Sequence, residues 1–167
     1  MGQDKALLVL DGRPLVLHHI DAFAPWCQQT LVVLGAHAEK ISACLPPSVQ
    51  TVHNPEWATT GPAESLLLAL AHTDAVHAWV TPVDTPPAPS EVLSALAATQ
   101  APCVPTHQGL PGHPVRLDLK ATRAALPGMT LRDVLATSRT VEVAWPGTLL
   151  NLNTPSEWAT WCTTRTG

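Results

Sequence analysis

The chain has 167 residues, 46% of them apolar and 13% charged, with a formal net charge of −4. That balance excludes a disordered segment. Nine Lys plus Arg, scattered along the chain, exclude the electrostatic footprint of a nucleic-acid binder.

Residues 1–167 read as one domain, long enough to bury roughly two thirds of the surface exposed in the unfolded chain. The four cysteines, at 27, 44, 103 and 162, share no CxxC or Cys/His ligand spacing and read as small buried hydrophobes. No basic segment precedes an apolar one at the start, and no run of 18 apolar residues occurs, so no membrane partner is expected. The expected compartment is the cytoplasm.

In chain order, residues 6–10 form a short apolar segment, Asp11-Gly12-Arg13 a turn, and residues 15–24 a helix closed by Pro25. Residues 30–35 are a strand, 36–45 a helix stopped by Pro46-Pro47, and 49–53 a further strand. A loop through Gly61 leads to an apolar helix over 62–72. Residues 79–83 are the next strand, 89–99 a helix and 102–105 a strand. The turn-rich segment 106–114 precedes an edge strand at 115–117. Helices follow at 119–126 and 131–137, then a strand at 140–144 and an apolar segment at 149–152. A last helix over 155–162 is capped by Thr154, with Glu157 at the capping-box position. Brief apolar runs alternating with helices of about ten residues predict an α/β fold of three layers, αβα, with a Rossmann-like, mostly parallel sheet.

The stretch Ala78-Trp79-Val80-Thr81-Pro82-Val83-Asp84-Thr85-Pro86-Pro87 reads as a buried parallel strand that delivers Asp84 to its C-terminal edge. Open α/β sheets keep their chemistry at that edge. Taken alone, Asp84 is a turn aspartate. Lys5 is one of three lysines in the chain and precedes a strand-like segment, where it suits phosphate as a point charge; taken alone, it is a solvated terminal lysine. Asn151 and Asn153 precede the last helix, where a polar ligand would also meet unpaired backbone N–H groups; an Asx turn is the plainer reading. Gly112-His113-Pro114 offers a histidine on a constrained turn, a substrate contact or a surface residue. His18, His19 and His72 fall within helix patterns and read as structural.

Five stretches, taken together, resemble the MobA-like nucleotidyltransferases, the guanylyl- and cytidylyltransferases of molybdenum cofactor maturation and their relatives. They are Met1-Gly2-Gln3-Asp4-Lys5-Ala6-Leu7-Leu8 with Gly12-Arg13-Pro14-Leu15; Asn54-Pro55-Glu56-Trp57 with Gly61 and Ser65-Leu66; Pro82-Val83-Asp84-Thr85-Pro86; Gly112-His113-Pro114-Val115, which leans towards the cytidylyl-type branch; and Asn151-Leu152-Asn153-Thr154-Pro155 with Glu157-Trp158. The resemblance implies binding of a nucleoside triphosphate, CTP or GTP, with Mg²⁺. It further implies transfer of CMP or GMP to a phosphorylated acceptor such as molybdopterin, with loss of pyrophosphate. By that analogy Lys5 neutralises triphosphate charge, Asp84 holds Mg²⁺ and Asn153 sits beside the metal or acceptor. Asn54, Ser65 and His113 line the acceptor side.

Two features depart from the pattern. In the family an apolar strand and a Gly-rich phosphate loop precede the stretch that matches Met1-Gly2, and their absence leaves sheet edges open to self-association. The cytidylyl-type branch often carries acidic residues where this chain has Asn151 and Asn153. The alternative reading is a binding or accessory protein that keeps the fold and its cleft without the transfer chemistry.

Overall fold

The structure, a computed structural model, describes residues 4–165. It opens with a 3-10 helix at Lys5–Leu7 and a hairpin of β1 (Val9–Leu10) and β2 (Arg13–Pro14). The hairpin turns on Asp11 and Gly12, both at positive φ, the conformation that Asp-Gly supplies most cheaply. The Met1-Gly2-Gln3 part of the first motif lies outside the described residues. The apolar segment 6–10 is divided: Leu7 N–H bonds back to the Asp4 carbonyl, and only Val9 and Leu10 pair, locally.

Helix α1 (Leu15–Phe23) buries Leu15, His19 and Phe23, four residues apart on one face. Strand β3 (Leu31–Leu34), helix α2 (Ala38–Ser42) and strand β4 (Gln50–His53) form a parallel crossover with Leu31 opposite Gln50. Helix α3 (Pro62–Leu70) follows, then β5 (His77–Val80) and α4 (Ser90–Ala97). The second half comprises β6 (Cys103–His107), β7 (Leu110–Pro111), β8 (Val115–Asp118), α5 (Leu119–Ala125), α6 (Leu131–Leu135), β9 (Arg139–Glu142) and α7 (Pro155–Thr164). A 3-10 turn at Pro146–Leu149 precedes α7; the apolar segment 149–152 is otherwise an unpaired extended stretch.

β5 differs from the expected strand in two ways. It ends at Val80, because Pro82 has no N–H to offer a ladder, and its one paired neighbour among the described residues, β8, is antiparallel. β8 also meets β6, which pairs with β7 on the same side and with β9 in parallel on the other. Asp4 reaches His37, just past β3, and Lys5 reaches Asp84, just past β5. The C-terminal ends of β3 and β5 therefore lie on one edge, and β3, β4, β5, β6 and β9 run in a common direction. The result is an α/β fold with a mixed, mostly parallel sheet.

Helices cover both faces. α1 and α2 pack Val16, Ile20 and Ile41 with Leu34 of β3, and α4 adds Leu93 and Leu96 against Phe23, Trp79 and Cys103. On the opposite face Leu66 and Leu70 of α3 join Val104, Val115, Leu117 and Leu119. Burial of this kind stabilises by roughly 25 cal/mol per Å² of apolar surface. Cys103 is fully buried, whereas Cys27, Cys44 and Cys162 are half-buried, which corrects the expectation for those three. Among the described residues β3 pairs only with β4 and β5 only with β8, so the sheet is divided by a slot between β3 and β5.

Candidate active site

Asp84 sits in a turn that starts where β5 ends. Thr85 donates its N–H and hydroxyl to the Pro82 carbonyl at 3.3 and 2.8 Å, closing the turn. His19 of α1 donates from Nε2 to the Thr85 carbonyl at 3.0 Å. From the far end of the chain, Leu152 donates its N–H to the Asp84 carbonyl at 2.6 Å. Two remote segments, α1 and the stretch before α7, thus hold the turn that carries this carboxylate at the C-terminal edge of the sheet.

The Asp84 carboxylate accepts from Lys5 Nζ at 2.8 Å, and the same ammonium bonds to Asn153 Oδ1. The side chains of Lys5 and Asp84 are 30% and 24% exposed, so solvent and ligands reach the pair. Asn153 is itself fixed from α7: Glu157 accepts from the N–H groups of Asn153 and Thr154 at 2.8 and 2.7 Å. The Thr154 hydroxyl and N–H hold the Glu157 carboxyl below its ordinary range, with a smaller pull from Lys5. The capping box read from the sequence thereby orients a site residue as well as starting a helix.

His113 lies on the loop between β7 and β8. Its N–H donates to the Thr148 carbonyl at 2.9 Å, and the Thr148 hydroxyl returns a bond to the His113 carbonyl at 2.6 Å. Gly112 is required for this approach, since a Cβ there would stand 2.0 Å from the Thr148 carbonyl oxygen. Burial lowers the His113 pKa, while the Asp84 charge and the Val80 backbone pull it back. Burial pushes His19 down to about 4 against the same kind of pull, from Thr85 first. Both imidazoles are neutral near pH 7, and in each Nδ1 is buried without a partner among the described residues.

Asn54 is buried and its amide is committed internally. Nδ2 donates to Thr60 Oγ1 and Ser65 Oγ at 3.0 and 3.1 Å, and Oδ1 accepts from Glu56 N–H at 3.0 Å. It organises the loop over 54–61 and ties it to the start of α3, beside Ser65. Lys5, Asp84 and Asn153 meet directly; His113 stands within electrostatic range of Asp84; Asn54 and Ser65 form a separate pair. Asn151 lines the adjoining cleft. Sequence reading missed His19, Thr148 and the Leu152 N–H as supports. Only His19 carried a signal, its place on the inward stripe of α1 with Leu15 and Phe23.

Among the described residues no group of three or more His, Cys, Asp or Glu comes together. A metal here would meet one carboxylate and one amide oxygen, hard donors of the kind Mg²⁺ takes with phosphate oxygens and water. The bridging ammonium of Lys5 marks the space between Asp84 and Asn153 as a cation position. The donor set fits such an ion when a phosphate-bearing ligand completes it.

An α/β sheet with a lysine, a carboxylate and an asparagine gathered at its C-terminal edge, and two histidines with buried Nδ1 beside them, defines a Rossmann-like domain. The comparisons place it more narrowly: residues 1–141 match the MobA-like NTP transferase domain, and the chain belongs to that family. It is 30% identical over 100 residues to a molybdenum cofactor guanylyltransferase from Burkholderia lata, a match covering 58% of the chain and 48% of that protein. The chain thus spans about half the length of that curated relative. A nucleotidyl transferase from Methanothermobacter shares the fold with a TM-score of 0.81 at 21% identity, covering 98% of this chain and 86% of the other. A Mycobacterium tuberculosis protein crystallised with manganese superposes with a TM-score of 0.74 at 18% identity, covering 97% and 93%. No helix among the described residues is long and apolar enough to cross a membrane.

Proposed function

We propose that this domain transfers a nucleotidyl group from a nucleoside triphosphate to a phosphorylated acceptor, with release of pyrophosphate and dependence on Mg²⁺. GMP is the favoured group, in line with the curated relative's name, and CMP the second choice; molybdopterin is the favoured acceptor. The observation that carries the reading is the meeting of Lys5, Asp84 and Asn153, separated by 79 and 148 residues of sequence, at one sheet edge.

The chemistry suits such a site. Phosphoryl transfer needs positioning and charge neutralisation more than covalent help. Lys5 supplies a mobile positive charge that can leave Asp84 for the triphosphate. Asp84 and Asn153 would hold Mg²⁺, which neutralises phosphate charge when bound. Leu152, His19 and Thr85 keep the Asp84 turn in place, so the carboxylate need not reorganise on binding. Ser65 and His113 line the cleft that leads away from Asp84, where an acceptor would enter, and Asn54 holds the loop at Ser65.

The test is pyrophosphate release by the purified chain with GTP or CTP, Mg²⁺ and molybdopterin, beside the Asp84→Ala variant. Release that depends on GTP and acceptor and disappears in the variant supports the reading. Release absent from the parent, or unchanged in the variant, defeats it and leaves a non-catalytic binding protein.

A further inference from the structure

Of the three residues that meet at the sheet edge, only one has freedom to move. The Asp84 turn is held by His19, by Thr85 and by the Leu152 N–H, and the main chain at Asn153 is held by Glu157. The main chain at Lys5 is held as well. Ala6 is buried, Leu8 donates its N–H to the Lys5 carbonyl at 3.2 Å, and Leu7 donates to the Asp4 carbonyl at 2.9 Å. The Asp4 carboxylate in turn stands 3.5 Å from His37. What remains mobile is the flexible stem of Lys5, whose side chain is 30% exposed.

The ammonium on that stem takes the place a divalent cation would take. It lies 2.8 Å from Asp84 Oδ2 and bonds to Asn153 Oδ1, so it already neutralises the carboxylate and uses the amide oxygen. A metal ion cannot share the position, because two cations would then crowd a single carboxylate and repel each other at close range. Nor does a metal gain much by displacing the ammonium unaided. It would find one carboxylate and one neutral amide, with water for the rest of its shell. The displaced ammonium would find no uncommitted acid beside it among the described residues, since Glu157 holds the N–H groups of Asn153 and Thr154 and Asp4 faces His37. A triphosphate changes both sides of this balance. Its oxygens complete the shell of the metal, and its charge receives the ammonium, which spends only two of its three N–H donors on Asp84 and Asn153.

We infer that Lys5 is a gate on the metal position: its ammonium keeps divalent cations out while no triphosphate is bound, and a triphosphate admits the metal by drawing the ammonium away. Lysine and metal then exclude each other, while triphosphate and metal promote each other's binding, a coupling that is reciprocal by linkage. The inference rests on the reading above in taking Asp84 and Asn153 as the metal's ligands, and not on the transfer step.

The test reads metal occupancy rather than turnover. Mn²⁺ alone is titrated into the purified chain and into the Lys5→Met variant, with the free ion followed by its electron paramagnetic resonance signal. Lys5→Met should bind Mn²⁺ roughly tenfold or more tightly than the parent, and adding Asp84→Asn to that variant should remove the gain. A second measurement uses the parent chain labelled with carbon-13 at lysine Cε, where Lys5, Lys40 and Lys120 give separate signals. The Lys5 signal should stay in place on addition of Mg²⁺ alone and shift on addition of inorganic tripolyphosphate with Mg²⁺. If Lys5→Met fails to fold, these spectra of the parent still decide. Equal Mn²⁺ affinity in parent and variant overturns the gate, as does a gain that survives loss of the Asp84 charge. A Lys5 signal moved by Mg²⁺ alone, or left in place by tripolyphosphate with Mg²⁺, overturns it too. Pyrophosphate release judges the transfer reading separately: tighter Mn²⁺ binding by Lys5→Met without any release by the parent leaves the gate standing, and release with equal affinities leaves the transfer standing.

Discussion

Leu152 donates its backbone N–H to the carbonyl of Asp84 at 2.6 Å, and this bond stitches the last apolar segment of the chain to the turn after β5. Because it is a main-chain bond, changing the Asp84 side chain leaves it in place. The carboxylate and its position are therefore separable by mutation.

Asp84→Asn should abolish most of the transfer activity, by roughly a hundredfold or more, because it removes the one full negative charge at the cation position. Its effect on stability should stay within about 1 kcal/mol, since the Lys5 pair it breaks is a quarter to a third exposed and solvent-screened. Pyrophosphate release and a urea titration of the same preparation measure the two effects. A large loss of stability would show Asp84 to be structural.

His19 should make stability depend on pH. Its folded pKa of about 4 lies below the ordinary 6.5, so the unfolded chain binds a proton that the folded chain refuses. The contribution is fully present above pH 6.5 and is lost as pH falls toward 4, roughly 3 kcal/mol in all. His19→Gln retains a donor for the Thr85 carbonyl and removes the proton uptake. Denaturation midpoints across this range should slope for the parent and flatten for the variant.

Gly112→Ala should displace the β7–β8 loop. A Cβ 2.0 Å from the Thr148 carbonyl cannot be relieved by a side-chain rotation, since the obstacle is backbone. The cost expected is about 1–3 kcal/mol, accompanied by loss of the reciprocal His113–Thr148 bonds. Thermal unfolding gives the first, and faster exchange at the His113 amide the second.

Asn54→Ala should loosen the loop over 54–61 by leaving Thr60, Ser65 and the Glu56 N–H without their common partner. A cost of about 1–3 kcal/mol is expected for deserting these groups. A variant as stable as the parent, with an unprotected Glu56 amide in both, would contradict the organising role assigned to Asn54.

Much of this molecule was legible in its sequence for a simple reason: hydrophobic period and turn chemistry are local. The alternation of apolar runs with short helices announced the α/β fold, Asp11-Gly12 the first hairpin turn, and Thr154 with Glu157 the start of α7. The prolines around Asp84 announced that the carboxylate sits where a strand stops. Tertiary structure alone decided that β5 pairs with an antiparallel neighbour, because register and direction depend on which distant edge a strand meets. It alone decided that Asn54 is spent inside its own loop, that His19 supports the Asp84 turn, and that β3 and β5 face each other across a slot. Lys5, Asp84 and Asn153 were each visible as polar residues at loop ends. Only long-range packing, closing 79 and 148 residues of chain, brings their polar groups within hydrogen-bond reach.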